Sequence, residues 1–209
     1  MKLKVCGMRE RLNIAEIAVI KPDFIGFIFY KGSKRYVGEQ FDIRNLPDLP
    51  DDIKKVGVFV NSEVYEIVEK VEKLELDCVQ LHGDESPEFC RVVKDKGFKI
   101  IKAFGVGKDF NFEKLAAYEE YCDFFLFDTK GDNFGGNGVA FDWSILSKYK
   151  GKKQYFLSGG VGLENIHQLK DIDTSKIYAI DVNSKVELAP GVKDSQKISL
   201  LAEKLKLVR

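Results

Sequence analysis

Residues 156–162 read FLSGGVG. Phe156 and Leu157 close an apolar run, the small Ser158 follows, and Gly159 and Gly160 come next. Leu163 to Lys170 then carries helical spacing. The order is strand, turn, helix. Glycine weakens both regular elements, so two in a row at their junction serve the turn itself. A glycine turn lets backbone N–H groups approach a ligand with no Cβ in the way. A helix N-terminus adds unpaired donors and partial positive charge. Together they suit a phosphate, which makes Gly159 and Gly160 binding candidates. On this stretch alone, a plain tight turn remains the alternative.

The same order repeats on both sides. Short apolar strands are expected near 2–6, 24–29, 55–60, 78–82, 99–104, 124–128, 154–158 and 178–182. Helices are expected near 10–20, 63–75, 86–96, 112–121, 143–149, 163–170 and 193–206, with a short one within 39–46. Ser62 and Ser86 read as N-caps, the latter followed by Pro87. Continuous Val, Ile and Phe runs mark strands buried on both faces, as in a parallel sheet. Strands alternating with helices point to an α/β fold, a closed (β/α)8 TIM barrel. An open doubly wound sheet is the runner-up. No linker or low-complexity stretch divides the chain, so one domain is expected over 1–209.

Composition narrows the partners. Lys+Arg and Asp+Glu both number 33, giving no net charge. That argues against nucleic-acid or membrane-surface electrostatics. No segment has the apolar length of a membrane span, and MKLKVCGMRE lacks a signal-peptide core. A soluble cytoplasmic protein is expected. Cys6, Cys78, Cys90 and Cys122 fit no zinc spacing. Cytoplasmic thiols stay reduced, and all but Cys6 read as small buried hydrophobes.

In a barrel the site lies where strands end and loops begin. Strand one ends in Cys6, and strand two leads to Arg35 in SKRY. Strand four ends in His82, strand six in Asp128, followed by GDNFGGNG. Strand seven ends in SGG, and strand eight ends in Asp181 within DVNSK. Each residue has an ordinary structural role available. A thiol, a carboxylate, an arginine and two glycine-rich turns on one rim point instead to a ligand site. Counting by twos puts Lys4 on the strand face of Cys6, from which it can pair with Asp181 and tune the thiol.

The stretches KVCGMR, GFIFYKGSKRYV, VGVFVN, VQLHGDE, FDTKGDNFGGNGVAFDW, FLSGGVGLENI and AIDVNSKVELAPGVKD are collinear from residue 4 to 194. They resemble the phosphoribosylanthranilate isomerases of tryptophan biosynthesis. The resemblance implies an Amadori rearrangement of an N-linked ribosylamine phosphate, with no metal or redox cofactor. It implies Cys6 as general base, acting as a thiolate favoured by a nearby cation, and Asp128 as general acid, protonated at the start. It implies Arg35 as the contact for the anthranilate carboxylate, through a guanidinium fork. The implied phosphate site lies after strands seven and eight, at Gly159, Gly160 and Ser184, with Gly136 approaching from the loop after Asp128. His82 is placed near the substrate without an assigned step. Asp181 is counted among the substrate-binding candidates, with a backbone-orienting role as the alternative. A monomer or a homodimer is compatible with the family.

Two positions depart from the family pattern. Asn183 and Lys185 stand where serine and glycine are usual. Lys185 is expected to bring strain if φ is positive there, or a charge near phosphate, or neither. Arg9 replaces the usual Thr or Asn. Competing readings are another phosphate-binding barrel isomerase, or a non-catalytic barrel that binds a phosphorylated ligand.

Overall fold

The structure, a computed structural model, describes residues 1–131 and 141–207. Eight parallel strands close into a barrel in chain order. They are β1 (Lys2–Val5), β2 (Phe24–Ile28), β3 (Lys54–Phe59), β4 (Cys78–Leu81), β5 (Lys99–Val106), β6 (Phe124–Thr129), β7 (Tyr155–Leu157) and β8 (Ile177–Val182). β8 closes on β1 with Lys4 opposite Asp181 and Val5 opposite Val182. The open-sheet alternative is excluded by that pairing.

The apolar runs form strands because both faces are covered. Outward side chains such as Val5, Phe27, Phe59, Leu81, Phe125 and Leu157 join the core beneath the helices. Inward ones (Phe24, Val56, Cys78, Ile101, Leu126, Phe156 and Ala179 among them) fill the barrel. Above that layer sit Cys6, Ile28 and Val58, with Tyr30 packed against them. The interior then turns polar, with Lys4, Gln80, Asp128 and Asp181 all buried.

Four α-helices, α1 (Arg11–Val19), α2 (Val64–Leu74), α3 (Pro87–Lys94) and α4 (Ser195–Leu207), follow the expected places. Ser86 caps α3, accepting from Phe89 N at 3.1 Å. α2 is capped by Glu63 rather than by Ser62. Glu63 and Glu66 exchange side-chain and backbone bonds, which satisfies two free donors at once. The remaining connections are tighter than expected. Residues Phe112–Tyr118, Trp143–Lys148 and Ile166–Asp171 are 3-10 helices, and only Ile43–Asn45 is helical within 39–46. Asn111 and Asp142 capture the N–H two residues on, at 2.9 and 3.0 Å. That winds the first turn tightly, and segments this short do not repay α-helix nucleation. After β8, the 3-10 turn Ser184–Val186 leads into a small antiparallel hairpin of β9 (Glu187–Ala189) and β10 (Val192–Lys193), for which no strand was expected. All four cysteines are free and buried. Among the described residues no helix is long and apolar enough to cross a membrane.

Candidate active site

An open cavity of about 740 Å³ occupies the C-terminal mouth of the barrel. Cys6, Arg35, His82, Asp128, Gly159, Gly160, Asp181 and Ser184 all line it. Gly136 and its neighbours Gly135 and Gly138 lie outside the described residues.

Cys6 sits one residue past β1. Its N–H donates to Val182 O at 2.9 Å, which extends the β1–β8 ladder to the thiol. Below it, Lys4 Nζ pairs with Asp181 Oδ1 at 2.8 Å, with side chains 0% and 4% exposed. The pairing anticipated from strand periodicity is present. Burial pushes the Cys6 thiol up, and the Asp181 carboxylate adds to the rise. The Lys4 ammonium pulls the other way, with a smaller contribution from Lys193. The nearby cations expected to favour the thiolate are present in Lys4 and Lys193, but desolvation outweighs them. Burial also opposes the Lys4 charge, yet Asp181 and Cys6 more than restore it, so Lys4 holds its proton more tightly than a free lysine.

Asp128 is the penultimate residue of β6, across the mouth. Its Oδ1 accepts from Thr129 N at 2.8 Å, and its Oδ2 lies 3.2 Å from His82 Nε2. His82 Nδ1 is 2.7 Å from Gln80 Nε2. With the Gln80 amide donating to Nδ1, the neutral ring carries its proton on Nε2, aimed at Asp128. Gln80 Oε1 is buried without a partner. His82 thus gains a defined neighbour that sequence alone did not supply.

The double-glycine turn has a second reason to exist. Gly159 and Gly160 have φ of +82° and +69°. A Cβ on Gly159 would lie 2.5 Å from Thr129 N and 3.0 Å from Asp128 Oδ1. The turn is tucked under the Asp128 carboxylate, so a side chain there displaces it. The anticipated helix N-terminus does not follow at once: the next helical turn starts at Ile166 and is only six residues of 3-10 helix. The shape of the turn comes from Asn165, which donates to Gly160 O and accepts from Gly162 N, both at 2.9 Å. The donors this turn offers are its own backbone N–H groups.

Arg35 enters from the loop after β2 and already holds a carboxylate. Its Nε and Nη2 donate to Glu187 Oε1 and Oε2 at 2.9 and 2.7 Å. The same Oε1 accepts from Lys193 Nζ at 2.7 Å. Burial works against the Glu187 charge, but Arg35 and Lys193 hold its carboxyl below the usual range. Lys185 lies inside the Ser184–Val186 turn and is not among the described residues with positive φ, so the strain considered for it is absent. Its ammonium, at the cavity edge, pairs with Glu164 at 2.9 Å. Asn183 faces Lys193 instead, accepting from Nζ at 2.6 Å. Gln80, Asn165, Glu187 and Lys193 were not singled out from sequence. The period-two step from His82 to Gln80 was the one available signal among them.

A thiol at one side of a barrel mouth, a histidine-linked carboxylate at the other, and an arginine and glycine turn between them define a barrel enzyme of the acid–base class. Residues 3–204 match the sequence family described as N-(5'-phosphoribosyl)anthranilate isomerase. Relatives of that name from Parabacteroides distasonis and Thermotoga maritima are 44% and 36% identical over 199 and 207 residues. They cover 95% and 99% of this chain and 90% and 98% of their own. Phosphoribosyl anthranilate isomerase from Thermus thermophilus superposes with a TM-score of 0.87 at 28% identity, over all of both chains. A phosphoribosyl anthranilate isomerase in complex with reduced 1-(o-carboxyphenylamino)-1-deoxyribulose 5-phosphate superposes with a TM-score of 0.84 at 33% identity, over 99% and 98% of the two chains. The chain belongs to the N-(5'-phosphoribosyl)anthranilate isomerase family.

Proposed function

We propose that the chain converts N-(5'-phosphoribosyl)anthranilate to 1-(o-carboxyphenylamino)-1-deoxyribulose 5-phosphate, a step of tryptophan biosynthesis, with Cys6 and Asp128 as base and acid. The observation that carries the residue roles is the single cavity lined by Cys6 and by the His82-linked Asp128. Asp128 protonates the furanose ring oxygen; the C1–O bond breaks and a Schiff base forms. Cys6 removes the proton from C2, the electron pair moves toward the nitrogen, and an enolamine results. Its tautomerisation gives the ketone. Substrate and product are isomers, so the protein's part in the chemistry is to give and take protons at the right atoms.

The Asp128 Oδ2 that is to carry the proton for the first step lies 3.2 Å from His82 Nε2. The carboxylate and phosphate of the substrate bring negative charge into the mouth and favour keeping that proton. Cys6 must lose its own, and Lys4 and Lys193 are the charges that make this possible in a buried place. Arg35 receives the anthranilate carboxylate, and Gly159, Gly160 and Ser184 receive the phosphate.

The test is turnover of freshly generated phosphoribosylanthranilate, followed by loss of anthranilate-type fluorescence. Wild type is expected to be active. Cys6→Ser and Asp128→Asn, folded by circular dichroism, are each expected to lose about 10² to 10⁴-fold in kcat. Folded variants with wild-type kcat refute the residue roles, and an inactive wild type refutes the reaction.

A further inference from the structure

Arg35 and Glu187 form a bidentate pair whose formal charges cancel. A neutral pair has little hold on a further anion, although the fork still has unused N–H groups beyond the two that Glu187 takes. The cation that unbalances the pair is Lys193. Its side chain is 0% exposed and lies behind the cavity wall rather than in it. Nζ bonds Glu187 Oε1 at 2.7 Å and Asn183 Oδ1 at 2.6 Å, and is 3.4 Å from Asn183 O. The main chain of Lys193 is fixed as well. Its N–H donates to Asn13 Oδ1 at 2.7 Å, and its carbonyl accepts from Asn13 Nδ2 at 2.9 Å.

The cluster is packed against the base. A Cβ on Gly7, next to Cys6, would meet Asn183 Oδ1 at 2.8 Å and Arg35 Cδ at 2.9 Å. Stability does not explain such a lysine, because well-packed apolar residues replace buried ion pairs at little cost or with a gain.

We propose that Lys193 and Glu187 are positioning residues for carboxylate recognition: Glu187 aims the Arg35 fork, and the buried Lys193 ammonium gives the three-residue cluster its net positive charge. The inference rests on the reading that an aryl carboxylate docks at Arg35, and it names what makes that subsite selective. The ligand class it selects is an N-aryl sugar phosphate with a carboxylate ortho to nitrogen. A second consequence concerns Cys6, since Lys193 also favours its thiolate.

Two ligands separate this role from a structural one. One is the reduced product, 1-(o-carboxyphenylamino)-1-deoxyribitol 5-phosphate; the other is its counterpart lacking the ring carboxylate. Calorimetric affinities are measured for wild type and Lys193→Met at low salt and pH 7. The substitution is expected to weaken the carboxylated ligand roughly tenfold or more, as loss of a nearby charge in a partly screened site does. The ligand without the carboxylate is expected to stay within about twofold. Equal losses on both, no loss on either, or wild type that binds neither overturns the proposal.

If Lys193→Met does not fold, the folded Cys6→Ser protein is titrated instead, from pH 7 to 9. Burial brings Lys193 down to about 8, with Glu187 and Cys6 opposing the fall and Arg35 adding to it. The serine removes the thiol titration; Lys4 and Asp181 are the other charges facing that position. Preference for the carboxylated ligand should then decline as Lys193 loses its proton, and a preference flat across that range overturns the proposal. Failure of the proposed reaction shows separately, as wild type that discriminates between the ligands yet turns over no substrate.

Discussion

Replacing Lys4 with methionine leaves the Asp181 carboxylate alone inside the barrel. The two groups are 2.8 Å apart, and neither is more than 4% exposed. Methionine keeps most of the stem volume, so the loss is mainly one of charge. Removing one partner of a buried pair costs about 3–5 kcal/mol, because the other charge stays buried and uncompensated. Asp181 has one escape, which is to take up a proton. Burial already pushes its carboxyl up against the pull of Lys4, and without Lys4 it rises further. A carboxyl raised in the folded state binds a proton there that the unfolded chain has released above pH ~4. Its contribution to stability is therefore present at low pH and is lost as pH rises through the folded value. Urea unfolding of wild type and Lys4→Met at pH 5 and pH 8 measures this directly. The deficit of the variant is expected to be larger at pH 8, by up to about 1.4 kcal/mol per pH unit crossed. Lys4→Met with Asp181→Asn should recover part of it, since no buried charge remains. A deficit below about 1 kcal/mol that is equal at both pH values, and unchanged in the double variant, would refute the reasoning.

Other outcomes follow from the same geometry. The acidic side of the kcat/KM profile should climb about tenfold per pH unit as Cys6 loses its proton, with the limb displaced upward because burial raises the thiol; a flat profile from pH 6 to 9 argues against a thiolate base. Gly159→Ala forces a Cβ toward Thr129 N and Asp128 at φ +82°, so kcat should drop by at least tenfold along with a loss of about 1–3 kcal/mol in urea unfolding. Asn165→Ala orphans Gly162 N and Gly160 O in a buried turn. It should cost about 1–3 kcal/mol and raise KM more than it lowers kcat, so an unchanged KM would detach this turn from binding. Lys185→Ala removes a half-exposed pair with Glu164 and should change stability by no more than about 1 kcal/mol; a larger loss would mean that this lysine is structural.

The strands were legible because a residue buried on both faces leaves a local trace, an unbroken apolar run such as FIGFIF or FFLFD. Lys4 and Asp181 were legible for a related reason: alternation fixes which face each occupies before any partner is known. The pairing of His82 with Asp128 and of Arg35 with Glu187 left no such trace. Their partners are far apart in sequence and meet only when the strand ends are arranged in a ring. Glu187 and Lys193 also lie in a segment too short to show a strand period. Helices stand at 112–118 and 143–148 as expected but wind as 3-10 turns, because amphipathic spacing does not distinguish an α from a 3-10 turn over six or seven residues. Ser62 was the better cap by residue type, but Glu63 and Glu66 satisfy two donors together.

The seam between β1 and β8 joins groups 177 positions apart in sequence. Cys6 leaves the ribosome well before Asp181 and Lys193. A growing chain therefore carries the sulfur and Lys4 long before the other two charges that act on the thiol. Closure of a loop this long is a late event that depends on the intervening strands being in place. The environment that raises the thiol is thus acquired at the moment of ring closure, and unfinished chains carry a cysteine of ordinary acidity. Selective alkylation of Cys6 on stalled nascent chains of increasing length would time the completion of the barrel.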